Sequence, residues 1–276
     1  MELHEDDDKA TPRTMLGRRL RRMREAADLS LRGLADQINF PHTYIGRVER
    51  GEQLPSEALA QTLDEYFKTD DLFVELLDMA HDTLIVSYGR EFVAKEREAL
   101  RIQVFTSSLI PGLLQTEAYA RELFRYSMSG YTPAELDARV AARMNRKKIF
   151  NRDDPPLFWA IVDESGLRRP TSDRETMRIQ LEHVLELSES PHITVQVLPF
   201  QRALHPMLGG SLTLLTMRGG ETVGLVESFD SGESVDSPKR IVELVQGFDV
   251  ARSMALTEAE SRALVSSYLK EYADDH

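Results

Sequence analysis

The amino-acid sequence predicts an all-α N-terminal domain followed by a mixed α+β C-terminal domain with a partly antiparallel sheet. Up to about residue 80, apolar side chains recur at helical spacing. Beyond about residue 100, helix starts alternate with apolar segments of strand type. Gly219-Gly220 joins two of these segments, as the turn of a β-hairpin does. A chain of 276 residues is also long enough for two domains of ordinary size.

Four segments follow from this pattern and from the charges. They are an acidic tail at 1–11, a helical domain at 12–80, a linker helix at 81–100 and an α+β domain at 101–276. The tail holds five acidic residues and one lysine. Like charges repel, and the tail has little apolar surface to bury, so we expect it to be disordered.

Five helices are expected in the helical domain, at 14–27, 30–38, 41–50, 56–67 and 71–81. Ser30 and Ser56 have side chains that favour the N-cap position of a helix. Gly51 suits the position just after the third helix, where a positive φ is easiest for glycine.

The α+β domain is expected to begin its helices at capping boxes, in which a Ser or Thr is followed three residues later by Glu. Thr132–Glu135, Ser172–Glu175 and Thr257–Glu260 have this pattern. Further helices are expected at 89–100 and at 238–255, and another is expected to follow residue 116 and to end near residue 126. Strands are expected at 101–106, 157–162, 193–200, 211–217 and 222–228.

Composition excludes several kinds of site. The chain has no cysteine, which rules out disulfides, thiolate zinc sites, iron–sulfur clusters and cysteine nucleophiles. The acidic N-terminus does not resemble a signal peptide, and no apolar run approaches the ~20 residues of a membrane span. We therefore expect a soluble, cytoplasmic protein.

The net charge of −12 argues at first against nucleic-acid binding, because phosphates attract positive charge. The charge is unevenly distributed, however. Residues 12–55 hold nine arginines and five acidic residues, a net charge of +4, and the rest of the chain is acidic. Such asymmetry indicates a nucleic-acid surface confined to one domain, although a solvated basic helix would look the same.

Two short helices joined by a tight turn form a helix-turn-helix pattern in the basic segment. The residues LRGLADQI (31–38) and TYIGRVERG (43–51) resemble the phage-repressor-like DNA-binding domain, also called the XRE or Cro/CI type. The resemblance implies that Ala35 lets the two helices cross closely and that Ile45 and Val48 belong to the core. It also implies double-stranded DNA as a partner.

The same resemblance assigns DNA contacts to individual residues. The base-reading residues are His42, Thr43 and Arg47, and the backbone-contacting residues are Arg32, Tyr44, Arg50, Arg18 and Arg22. Pairing of Arg47 and Arg50 with nearby acidic residues is the alternative. Two residues depart from the family pattern. Leu31 replaces a phosphate-binding Gln, and Pro41 replaces the Ser that usually caps the recognition helix.

A second resemblance covers most of the remaining chain. IPGLLQT (110–116), TVQVLPF (194–200), His205-Pro206 and Gly209-Gly210 are similar to a C-terminal domain of unknown function in actinobacterial, Streptomyces-like regulators. The resemblance implies an antitoxin-like transcription factor in development or antibiotic production, often encoded beside a small partner protein.

Catalysis is the weaker interpretation of the polar residues in this domain. Asp163, Glu164 and His205 are residue types that support hydrolysis, but they are equally typical of helix caps and turns. We expect no enzyme activity, no cofactor and no metal. The candidate partner or ligand surface consists of Pro111, Gly112, Leu113, Leu114, Gln115, His205, Gly209 and Gly210. Packing alone would also explain these residues.

The sequence therefore predicts a sequence-specific transcriptional regulator, a repressor that acts as a homodimer on a pseudo-palindromic operator. A ligand or protein partner would act through the C-terminal domain. The alternatives are an antitoxin-like protein whose main role is to bind a small partner, and a small-molecule-sensing regulator.

Overall fold

The computed structural model describes residues 11–84, 87–127, 130–202, 204–229 and 231–273. The acidic tail therefore lies outside the described residues, apart from its last residue. The chain forms two compact units, one from residues 1–85 and 128–142 and the other from 86–127 and 143–276. Each unit is described by itself.

Five helices from the N-terminal part of the chain form most of the first unit, as the apolar spacing predicts. They are α1 (Pro12–Ala26), α2 (Leu31–Ile38), α3 (His42–Glu49), α4 (Glu57–Phe67) and α5 (Leu72–Thr83). The Ser30 and Ser56 side chains accept hydrogen bonds from backbone N–H groups in the first turns of α2 and α4, so both predicted caps are confirmed. Gly51 follows α3 with φ +68°, also as predicted.

The core of the first unit lies between these helices. Leu16 and Leu20 of α1, four residues apart and thus on one face, are buried against α3, α4 and α5. The other buried apolar residues of this core are Leu34, Ile38, Ile45, Val48, Leu59, Ala60, Leu63, Phe73, Leu76 and Leu77.

A later segment of the chain returns to the first unit. Residues 130–142 include the start of α8 (Pro133–Arg146). Within this unit, Arg139 Nη1 donates a hydrogen bond to the Leu84 carbonyl over 2.6 Å, at the end of α5. The Arg139 guanidinium also lies over the ring of Tyr131, 4.4 Å from its centroid. This return was not expected from the sequence, which placed these residues in the α+β domain.

The second unit contains a mixed sheet of six strands within the described residues, in the order β3-β2-β1-β4-β5-β6. The strands are β1 (Arg101–Thr106), β2 (Leu157–Asp163), β3 (Ile193–Leu198), β4 (Ser211–Thr216), β5 (Thr222–Glu227) and β6 (Gly232–Val235). β1, β2 and β3 are parallel, whereas β1, β4, β5 and β6 pair antiparallel. The partly antiparallel sheet and the β4–β5 hairpin are thus confirmed.

Helices cover both faces of this sheet. They are α6 (Ser87–Glu96), α7 (Glu117–Ser127), the end of α8, α9 (Glu164–Arg168), α10 (Arg174–Leu187), α11 (Pro238–Met254) and α12 (Glu258–Ala273). Residues of α7, α10 and α12 pack on the face that carries Val104 and Phe158. Residues of α11 pack on the opposite face, which carries Phe105 and Ile161.

Two local expectations were wrong. Asp173, rather than Ser172, caps α10 by accepting from the N–H groups of Glu175 and Thr176. α8 ends at Arg146 and continues as a 3₁₀ turn instead of an α-helix to 149. The short strand β6 was not expected, and of α9 only the strand-to-helix exit at residues 164–166 was expected.

No helix in the described part of the chain is long and apolar enough to cross a membrane.

Candidate nucleic-acid interface

The third helix, α3, has one face in the core and one face in solvent. His42, Thr43 and Arg47 are exposed, whereas Ile45 and Val48 are buried. Residues four apart lie on the same side of a helix, so Thr43 and Arg47 form one surface, with His42 beside it at the helix start. The structure thus brings the three predicted base-reading residues together on an exposed face.

A turn of three residues joins α2 to α3. Asn39 ends α2 in the left-handed conformation, with φ 56° and ψ 41°. Asn tolerates this conformation better than most residues because its short polar side chain can hydrogen-bond locally. Pro41 then stands at the N-cap of α3 without a side-chain hydrogen bond, as predicted. The exposed start of α3 is therefore fixed by backbone geometry rather than by a capping side chain.

A buried ion pair holds the end of α3 against α1. Arg24 Nε and Nη2 donate to the two carboxylate oxygens of Glu49 over 2.6 and 2.9 Å. Arg24 Nη1 also donates to the Leu29 carbonyl over 2.7 Å. The two charged side chains are only 11% and 6% exposed. A planar guanidinium fits a carboxylate in this two-point geometry, so the pair fixes the orientation of α3.

Close approach of α1 and α3 requires glycine at position 17. A Cβ atom there would lie 2.5 Å from the Val48 carbonyl oxygen and 2.8 Å from that of Glu49. Both contacts are with backbone atoms, which cannot rotate away. Gly17 therefore sets the distance between the two helices, a role that the sequence-based interpretation gave to Ala35 for the crossing of α2 and α3.

Two predicted DNA-backbone residues have partners within the first unit. The Tyr44 hydroxyl accepts a hydrogen bond from the Ser56 N–H over 2.6 Å, which ties α3 to the start of α4. Arg50 Nε and Nη2 donate to Glu52 over 2.7 and 2.9 Å. Arg50 pairs with Glu52 rather than with Glu49, because Arg24 already occupies the Glu49 carboxylate.

The other predicted backbone-contacting residues are exposed cations. Arg18, Arg22 and Arg32 lie at the surface of α1 and α2. Within the part of the chain that the structure describes, these side chains and that of Arg47 have no ion-pair partner. By contrast, Arg21 pairs with Glu25 over 2.8 Å. The unpaired guanidinium groups remain available to phosphates or bases.

The predicted turn at Pro111–Gln115 lies inside the second unit. Gly112–Leu114 form a 3₁₀ turn, and Leu113, Leu114 and Gln115 are buried. Gln115 Nε2 donates to the Ile110 carbonyl over 2.7 Å. Apart from Leu114, the turn borders a cavity of about 180 Å³. It is therefore the wall of a cavity rather than an exposed surface.

The predicted loop at His205–Gly210 lies on the other face of the sheet. The His205 ring packs against Phe105, with centroids 5.5 Å apart, and Nδ1 accepts from the Met207 N–H over 3.3 Å. His205 Nε2 lies 3.7 Å from an Asp163 carboxylate oxygen, while the other oxygen accepts from the Ser165 N–H and caps α9. Gly209 is exposed and Gly210 half-buried. The structure does not bring the two halves of the predicted surface together.

Glu164, the third residue considered for catalysis, is buried. Its carboxylate accepts hydrogen bonds from the Phe200 N–H over 2.6 Å and from the Tyr268 hydroxyl. These contacts join α9, the segment just after β3, and α12. In the described ranges, no group of three or more His, Asp or Glu residues is arranged to hold a metal ion.

Comparison with known families places both parts of the chain. A helix-turn-helix domain matches residues 15–77, the range that contains α2 and α3. A domain of unknown function, DUF5753, matches residues 89–267, well over half of the chain. The chain belongs to the DUF5753 family. No curated protein and no solved structure matches it. The two matches support a DNA-binding regulator of the helix-turn-helix type.

Sequence reasoning missed the residues that act through distant partners. In the helical unit these are Gly17 and the Arg24–Glu49 pair. In the DUF5753 domain, sequence reasoning also missed Arg143 and Glu227, which the fold brings to the border of one cavity. A glycine within a helix of good helix formers is a usable signal, because it costs about 1 kcal/mol relative to Ala. The partner of Arg24 lies 25 residues away and leaves no such signal.

Proposed function

We propose that this DUF5753 protein is a sequence-specific transcriptional regulator that inserts α3 into the major groove of DNA. The observation that carries the proposal is the exposed face of α3, on which His42, Thr43 and Arg47 lie together over a buried face of Ile45 and Val48. An exposed, unpaired Arg matches the O6 and N7 acceptors of guanine, and a helix of this kind fits the groove.

We further propose that the protein binds as a homodimer and represses transcription, in the manner of the XRE, Cro/CI type. A recognition helix of eight residues reads only a few base pairs, so one copy specifies a short site. Two copies would read half-sites ~34 Å apart in successive major grooves. In this proposal the DUF5753 domain supplies the dimer contacts and responds to a ligand or protein.

Arg47 provides the direct test. Genome-wide chromatin binding first identifies the operator, and gel shifts then compare operator affinities. Arg47→Ala should weaken operator binding by ~1–3 kcal/mol and relax specificity at one position of each half-site, because the guanidinium reads a base. Unchanged operator affinity would count against the recognition-helix assignment.

Two further variants separate base reading from charge. Arg32→Ala should weaken binding to the operator and to a scrambled duplex alike and reduce the salt slope by about 1, as expected for a phosphate contact. Arg178→Ala is the matched control, since this arginine lies in α10 and pairs with Glu175 and Glu182. It should leave DNA binding unchanged.

Binding of a small protein partner is the second candidate function. It is favoured by exposed apolar residues before and within the His205 loop, where Leu204 is 86% and Leu208 is 56% exposed. Leu204→Ser with Leu208→Ser should abolish co-purification with the product of the adjacent gene. Retained co-purification by this double variant would contradict the assignment of the loop.

A further inference from the structure

The cavity behind the Pro111–Gln115 turn has a floor formed by one face of the sheet, and one row of side chains on this floor is entirely polar. Strand register places Thr106, Ser211 and Glu227 side by side on β1, β4 and β5. The next row on the same face consists of Val104, Thr213 and Leu225. All of these except Leu225 border the cavity. The polar row therefore lies at the end of this sheet face, at the edge of the apolar core.

Within the described residues, two groups of this floor have no hydrogen-bond or ion-pair partner. Thr106 is 8% exposed, and its hydroxyl oxygen is buried without a hydrogen bond to any described residue. The half-buried carboxylate of Glu227 has no ion pair or hydrogen bond in the described part of the chain. Burying polar groups without partners costs free energy, so such groups are rare and call for an explanation, of which a bound ligand is one. Burial also raises the pKa of Glu227.

Opposite this floor, the cavity is bordered by Arg143, a cation without an ion pair among the described residues. Arg143, in the last turn of α8, donates to Gln115 Oε1 over 2.7 Å and stacks on Phe124 at 4.9 Å from the ring centroid. No carboxylate of a described residue forms an ion pair with it. A guanidinium has five N–H donors, and the described residues supply a hydrogen-bond acceptor to one of its nitrogens, Nη1. Burial lowers the pKa of Arg143 to about 10.

A second arginine that borders the cavity, Arg146, forms a complete ion pair. Arg146 donates to both carboxylate oxygens of Glu96 over 3.0 and 2.9 Å. Arg146 and Glu96 thus neutralise each other, whereas Arg143 and Glu227 do not form an ion pair. The cavity therefore offers a ligand one cation and one carboxylate, together with the Thr106 hydroxyl.

We propose that this cavity binds a small α-amino acid with an apolar side chain. Its carboxylate accepts hydrogen bonds from Arg143, its ammonium group pairs with Glu227, and the Thr106 hydroxyl completes the polar contacts. The apolar side chain lies against Val104, Leu113 and Phe158, which also line the cavity. A volume of about 180 Å³ is below the range of ~300–1,000 Å³ that is usual for drug-sized ligands, which suits a small metabolite.

Control of operator binding by this amino acid rests on the proposed function, in which the DUF5753 domain regulates DNA binding. Amino-acid binding does not rest on that function, and it is measured without DNA. Isothermal titration of the full chain with L-valine, L-leucine and L-methionine should give saturable binding. The N-acetyl and methyl-ester forms, which lack the ammonium and the carboxylate charge respectively, should each bind at least tenfold more weakly. L-glutamate should bind more weakly than L-leucine.

Variants of the two unpaired groups test the geometry. Glu227→Gln and Arg143→Gln should each reduce L-leucine affinity at least tenfold. Glu227→Gln is nearly isosteric, and its fold is checked by circular dichroism. Arg178→Gln is a matched control in α10, outside the residues that line the cavity, and should bind L-leucine like the wild type.

Three results would overturn the proposal. They are no binding of any of the three amino acids at 10 mM, equal binding of N-acetyl-L-leucine, and full affinity in Glu227→Gln. None of these results would count against the proposal that Arg47 reads a base in the operator. Loss of operator binding in Arg47→Ala would likewise leave amino-acid binding intact, so failures of the two proposals are distinguishable.

Discussion

At the scale of single residues, the Arg24–Glu49 pair has the clearest energetic role. Removing one partner leaves the other charge buried and unpaired, which typically costs ~3–5 kcal/mol. We predict that Arg24→Met destabilises the α1–α3 region by about this amount. Native-state hydrogen exchange of the amides in α1 and α3 measures the local free energy of opening.

A double variant separates the loss of the ion pair from the cost of leaving one charge buried without a partner. Arg24→Met combined with Glu49→Leu removes both charges, so it should be more stable than Arg24→Met alone. Arg21→Met is the control, since the Arg21–Glu25 pair is exposed and contributes little. Equal destabilisation by Arg21→Met and Arg24→Met would contradict the role given to the buried pair.

Glu227 should give the stability of the protein a recognisable pH dependence. Its folded-state pKa is raised, mainly by burial. A raised pKa means that the contribution of this group to stability is present at acid pH and is lost as the pH rises through the folded-state pKa. Without added amino acid, Glu227→Gln should therefore match the wild-type Tm near pH 4 and exceed it at pH 8.

Glu175 provides a control of opposite sign. Hydrogen bonding to Arg178 lowers its pKa, so its contribution is present at neutral pH and lost in acid. Glu175→Gln should not raise the Tm at pH 8. A Tm difference for Glu227→Gln that is constant from pH 4 to pH 8 would show that Glu227 ionises as it does in the unfolded chain.

At the scale of elements, the contact of α1 with α3 depends on Gly17. Gly17→Ala should destabilise the helical unit despite the higher helix propensity of Ala, because the new methyl group meets backbone oxygens. Since α3 must shift, operator affinity should fall as well. Thermal unfolding and gel shifts of the same variant check the two effects.

Gly33→Ala is the matched control in α2. A Cβ atom there would meet only the Ser30 and Leu29 side chains, at 3.3 and 3.6 Å. The higher helix propensity should make this variant neutral or more stable by up to ~1 kcal/mol. If Gly17→Ala behaves like Gly33→Ala, the close approach of α1 and α3 does not limit the fold.

The elements that the sequence predicts are those with local signals. Thr132 and Thr257 begin their helices through capping boxes with Glu135 and Glu260, as their spacing indicates. β6 has four residues and α9 has five, too few to show a period. Asp173 rather than Ser172 caps α10, and the sequence does not distinguish them because both residue types favour the N-cap position.

At the scale of the whole molecule, the sequence indicates the fold class but not the topology. Alternating segments predict strands, and one hairpin predicts an antiparallel pair. They do not predict that β1 lies between β2 and β4, where parallel and antiparallel pairing meet. The cavity residues come from positions as distant as Thr106 and Glu227, so only the folded sheet brings them together. The candidate base-reading residues lie within six positions of one short helix, so their common exposed face could be predicted from helical spacing alone.

The uneven charge of the whole molecule predicts how it discriminates among DNA sequences. Residues 12–55 carry +4 within a chain of net charge −12. Non-specific affinity comes almost entirely from phosphate neutralisation, so a small basic surface on an acidic protein should bind random DNA weakly. Under the proposed function, operator binding then depends on base contacts and on the proposed pairing of two copies. Fluorescence anisotropy with operator and scrambled duplexes between 50 and 200 mM salt measures both affinities. Scrambled DNA should be bound at least 10³-fold more weakly at physiological salt, and comparable affinity for the two duplexes would mean that charge, not sequence, holds this protein on DNA.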